Sequence, residues 1–108
     1  MSLIKENIKV FGKYTDKEDL KELVEFDNVA DMFDYVCKKY PEFTAIVDNG
    51  QSYKYSDLDK NCGYIRSILA QNGIKKGDFV GIYYSNSIEL VETSLAVMSA
   101  GCVAVVLP

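Results

Sequence analysis

The chain has 108 residues, 48% of them hydrophobic, with 16 acidic residues against 12 basic ones and a net charge of −4. That is one domain or part of one, apolar enough to bury a core, with no basic patch to neutralise the phosphates of a nucleic acid. There is no histidine, and the three cysteines, Cys37, Cys62 and Cys102, are far apart with no C-x-x-C pair. A zinc site built within the chain and a Ser-His or Cys-His nucleophile are therefore excluded.

An odd number of cysteines without a pairing framework suits a reducing compartment. The opening MSLIKENIKV has no apolar run of signal-peptide length, and no stretch of the chain reaches transmembrane length. The expectation is a cytoplasmic chain with neither a nucleic acid nor a membrane as partner. Each cysteine falls on an apolar face or strand, so each reads as a small buried thiol.

Residues 1–14 carry no diagnostic pattern. Thr15 and Glu18 form a capping box that opens a short helix to about Phe26, with Leu20, Leu23 and Val24 on one face. Its many charges mark a surface element, and residues 1–27 read as an N-terminal extension. Asn28, followed by Asp31, opens a stronger helix. Val29, Met32, Phe33, Val36, Cys37 and Tyr40 recur at helical spacing as one apolar stripe. Lys38 and Lys39 stand in its last turn, where the helix dipole favours cations, and Pro41 ends it.

Thr44–Val47 and Ser52–Tyr55 are β-rich runs separated by Asp48-Asn49-Gly50-Gln51. Asn-Gly between two such runs predicts a hairpin, with either a two-residue turn at Asn49-Gly50 or a slightly longer loop. Tyr53 and Tyr55 then share a face. Ser56 and Asp59 form an S-x-x-D box for the next helix, with Leu58, Cys62, Ile65 and Leu69 on one stripe. Gly73 closes it, and Ile74 packs back on Leu69. Gly63 inside this helix costs about 1 kcal/mol relative to alanine and reads as a point of close helix contact. Arg66, the one arginine, falls on the solvated side.

After a polar turn at Lys75-Lys76-Gly77-Asp78, the run Phe79–Tyr84 reads as a strand. Asn86 caps the following helix, with Glu89 three residues on to answer it. The helix runs to about Ala100 and stops at Gly101. Cys102–Leu107 is a second, valine-rich strand. Strand, helix and strand in about 30 residues is one βαβ unit, whose strands must be parallel. From Phe79 to Pro108 the only charged residues are Glu89 and Glu92. A helix this apolar is buried on more than one side, and parallel strands need cover on both faces. The fold class is therefore α/β: an incomplete layered fold with a hairpin and one parallel βαβ unit, inside a larger protein.

Chemistry within the chain is sparse. Neither G-x-G-x-x-G nor G-x-x-x-x-G-K-[ST] is present. Asp57 and Asp59 are a near pair, but acids in a first helical turn are expected for the dipole. Ser85-Asn86-Ser87 follows the C-terminal end of a parallel strand and precedes a helix N-terminus, where anions bind in open α/β sheets. The plainer reading, and the one preferred, is that Asn86 is simply the helix N-cap.

The order of these signals resembles the N-terminal portion of the adenylate-forming superfamily: acyl-CoA synthetases, adenylation domains of nonribosomal peptide synthetases and luciferase-like ligases. Tyr53-Lys54-Tyr55-Ser56-Asp57-Leu58 is similar to the first core motif of that family, in which a strand feeds a helix. Gly73-Ile74-Lys75-Lys76-Gly77-Asp78-Phe79-Val80 is similar to its G-(V/I)-x-x-G-D-x-V turn. Met98-Ser99-Ala100-Gly101 followed by Cys102–Pro108 is similar to its second core motif, although Cys102-Val103-Ala104 stands where a small residue and an aromatic are more usual. Residues 28–108 would then be the N-terminal part of an AMP-binding domain, truncated at its C-terminal end.

The resemblance implies a full-length parent that couples ATP, with Mg²⁺, to a carboxylate and passes the acyl group to CoA or to the phosphopantetheine of a carrier protein. The family's phosphate loop, Mg²⁺-serving glutamate, ribose-binding aspartate and catalytic lysine have no counterpart in this chain. No catalytic, cofactor-binding or metal residue is carried over, and the segment alone is expected to be inactive, with the rest of the parent enzyme as its partner. The competing expectation is a stand-alone α/β interaction module that completes its sheet by dimerising.

Overall fold

The computed structural model describes residues 26–108. The helix expected from Thr15 lies outside the described residues. The elements follow in the order α1 (Val29–Lys39), β1 (Thr44–Asp48), β2 (Gln51–Lys54), α2 (Tyr55–Gln71), β3 (Phe79–Ile82), α3 (Ile88–Ser99) and β4 (Val103–Val106). Every element expected from Asn28 onward is present, and the fold is the mixed α/β arrangement of hairpin and parallel βαβ unit.

Asn28 caps α1 as its sequence requires. Its Oδ1 accepts from the Asp31 amide at 2.8 Å, and its Nδ2 donates to the Asp31 carboxylate at 3.0 Å. Phe33 and Cys37 form the buried centre of the stripe, whereas Val29 at its start is exposed. The hairpin turn is the two-residue form. Asp48 pairs with Gln51, and both Asn49 (φ 53°) and Gly50 (φ 78°) have positive φ, the backbone a type I′ turn demands. The register shifts between Thr44 and Ile46, a local irregularity at the open end of the ladder.

Strand β2 lies one residue upstream of the expected run Ser52–Tyr55, because Tyr55 already belongs to α2. The pair Tyr53 and Tyr55 therefore does not share a strand face, although both pack against the same core cluster. The helix starts early because its first amides find partners in the connection between α1 and β1. Tyr55 N donates to Phe43 O at 3.1 Å and Ser56 N to Pro41 O at 3.0 Å. Asp57, not Asp59, reaches back to accept from Lys54 N at 2.8 Å. Lys54 offers no side-chain acceptor, so the box expected at Ser56 and Asp59 is replaced by a one-sided cap two residues upstream. At its far end, Gly73 N bonds Ala70 O and Ile74 N bonds Leu69 O, both at 3.1 Å, which is the Schellman pattern expected there.

Strands β3 and β4 are parallel, with Phe79 opposite Val103 and Ile82 opposite Val106. Helix α3 crosses between them and ends in a second Schellman motif: Gly101 N to Met98 O at 3.0 Å and Cys102 N to Val97 O at 3.1 Å. Gly101 has φ 77°, a conformation that favours glycine, and a Cβ there would stand 3.0 Å from Cγ of the exposed Lys76 side chain, which would have to shift slightly.

The core has two centres, and α3 belongs to both. Ile88 and Ala96 join Phe33, Cys37, Leu58 and Cys62 in a cluster between the helices and the hairpin. Val97 joins Ile82 and Cys102 in a cluster beneath the parallel strands, where Val80 and Ala104 also pack. The low charge of α3 is thus explained by burial on two sides. Gly63 does not mark a close helix contact: a Cβ there would meet only its own helix's Arg66 guanidinium, at 3.6 Å.

Candidate functional site

The place to examine is the C-terminal end of β3, where Tyr83-Tyr84-Ser85-Asn86 leads into α3. The helix cap is Ser87, one residue later than the expected Asn86. Ser87 is extended (φ −167°, ψ 170°), and its Oγ accepts from Leu90 N at 3.3 Å while donating to Ser85 O at 2.9 Å. The serine wins because its hydroxyl both receives the third helical amide and ties the loop that delivers it. Asn86 and Glu89 are exposed and form no capping box.

A second group completes the cap from a distance. Asp48, the last residue of β1, accepts from Ile88 N at 2.9 Å. Of the first three amides of α3, two are therefore occupied by the protein's own oxygens. The charge that the helix N-terminus would offer an anion is already met by the Asp48 carboxylate. A phosphate brought to Ser85-Asn86-Ser87 would face that carboxylate and find the amides of Ile88 and Leu90 taken. This end of the sheet does not fit the phosphates of ATP. Among the described residues no group of three or more His, Cys, Asp or Glu side chains is placed to hold a metal ion.

Sequence reasoning missed Asp48 because it lies 40 residues from its partner. The missed signal was an acid at a strand end in a chain whose fold returns a helix N-terminus to it. It likewise missed the role of Glu92. This acid is buried, and its Oε1 accepts from Asn61 Nδ2 of α2 at 2.9 Å. Its own backbone carbonyl accepts from the Cys62 thiol at 3.3 Å. Glu92 and its neighbours thus link α3 to α2 by polar contacts inside an apolar interface.

All three cysteines are free and buried, as expected. Burial pushes the Cys62 thiol up to about 12, and the nearby Glu92 charge adds to this. Burial also pushes Cys37 up to about 11, with Asp59 and Asp34 contributing. Such thiols stay protonated and do not act as nucleophiles at neutral pH. Cys102 donates to Lys75 O at 3.2 Å, stitching the turn before β3 to the end of α3. Asp57 is spent on its cap and Asp59 is exposed on α2, so the pair forms no acid–base dyad.

One surface remains unaccounted for. The side chains of β3 and β4 alternate between the buried cluster and an outer face. Phe79 and Tyr83, both 75% exposed, share that outer face with Val103 and Val105. No charged residue interrupts it. Helices pack on the other side of the strands, where Val80, Ile82 and Ala104 are covered.

A hairpin feeding a helix and then a parallel βαβ unit covered by helices on one side makes a mixed α/β arrangement. Residues 33–108 match the family of AMP-binding enzymes, and the chain belongs to that family. The 3-oxocholest-4-en-26-oate–CoA ligase of Rhodococcus rhodochrous is 34% identical over 70 residues, which cover 65% of this chain and 13% of that enzyme. The solved N-terminal subdomain of Klebsiella oxytoca NpsA superposes with a TM-score of 0.71 at 30% identity, covering 76% of this chain and 22% of that one. NpsA-ThdA, an artificially fused adenylation–PCP di-domain of a nonribosomal peptide synthetase from the same organism, gives a TM-score of 0.71 at 32% identity, over 73% of this chain and 15% of that one. The chain therefore spans only a small part of the length of the relatives it matches. No described helix is long and apolar enough to cross a membrane.

Proposed function

We propose that this chain is the N-terminal structural segment of an ATP-dependent acyl-adenylate-forming ligase. In that reaction a carboxylate displaces pyrophosphate from ATP to form an acyl-adenylate. A thiol, from CoA or from a carrier protein's phosphopantetheine, then takes the acyl group and releases AMP. On this reading ATP and Mg²⁺ are held by the rest of such an enzyme, a reading supported by the Asp48 carboxylate already occupying the N-terminus of α3. Residues 28–108 make up the opening part of the AMP-binding domain, and residues 1–27 are an extension ahead of it. The segment's work is to set out the first parallel strands and the crossover helix on which the rest of the domain is laid.

The observation that carries this reading is the uncharged outer face of β3 and β4. Parallel sheets are covered on both faces, and a face without a charge is made for contact with further polypeptide. On this reading that polypeptide is the remainder of the domain. The same face supports a second reading, an interaction module that dimerises through it; this predicts a discrete dimer with a cooperative urea transition.

Two measurements test the proposal. ATP–pyrophosphate exchange by the isolated chain should be absent, and exchange above background would overturn the scaffold role. In a chimera, residues 33–108 replace the corresponding segment of the Klebsiella NpsA N-terminal subdomain within the whole enzyme. A folded chimera is expected to keep measurable exchange activity. A folded chimera with none would show that the segment does not do the same structural work.

A further inference from the structure

We draw no further inference here: the strongest candidate, the uncharged outer face of β3 and β4, belongs to the reading already proposed, and nothing else in the structure shows what covers it.

Discussion

Replacing Asp48 tests whether the hairpin and the crossover helix are held as one unit. Its carboxylate accepts from Ile88 N at 2.9 Å, and it is half-buried. A hydrogen bond to a charged group contributes about 1.5–3 kcal/mol net. Partial exposure places this one toward the lower end, so Asp48→Ala should cost about 2 kcal/mol. Asp48→Asn keeps an acceptor oxygen and removes only the charge facing the helix dipole, a loss of about 0.3–1 kcal/mol. The two variants should therefore differ by more than about 1 kcal/mol in urea unfolding followed by circular dichroism. Hydrogen exchange at the Ile88 amide should accelerate most in the alanine variant. Equal destabilisation by alanine and asparagine would refute the hydrogen bond as the source of stability. A cost below about 0.5 kcal/mol for alanine, the range of ordinary surface substitutions, would refute the coupling altogether.

Asn61→Ala removes the donor to the buried Glu92 carboxylate and should cost about 1–3 kcal/mol, more than truncation of an exposed asparagine such as Asn86; equal costs in thermal unfolding would contradict the buried contact. Cys37 and Cys62 should resist a thiol reagent at pH 8 in the folded chain and react on unfolding in urea, because both thiols are raised above the ordinary value of 9.0, to about 11 and about 12. Since their folded values lie above the unfolded one, their contribution to stability is complete below pH 9 and is lost as the pH rises toward 11 and 12; a urea midpoint that does not fall across that window would count against it. Phe79→Lys combined with Tyr83→Lys should raise solubility and leave the unfolding free energy within about 1 kcal/mol, as two exposed positions permit, whereas a larger loss would mean that the outer face is not open in this chain.

Local signals placed the elements well because each rests on chemistry within a few residues. Asn28 and Asp31, Asn49-Gly50, Gly73 and Gly101 all set caps or turns whose partners are close in the chain, and all act as their sequence requires. One error came from a distant group, and two from local geometry that residue types alone do not display. The start of α2 moved because the carbonyls of Pro41 and Phe43 supply its first amides with partners. The cap of α3 moved to Ser87 because that hydroxyl is oriented by the loop carbonyl of Ser85. Gly63, read as a close contact, proved to face only its own helix.

The candidate anion site shows the division most clearly. From its own pattern the chain determines that a polar loop precedes a helix behind a parallel strand, and the absence of histidine rules out much catalytic chemistry. Whether that helix end is open to a ligand depends on what the fold brings to it. The tertiary structure brings Asp48, whose charge satisfies the helix dipole from within. It also decides that Glu92, acceptable by pattern as an acid in the first turns of the helix, is buried and held by Asn61. Patterns of burial and capping are local and periodic, so a sequence displays them; the capping of a helix N-terminus by a carboxylate 40 residues away depends on distance in space, which only the folded chain defines.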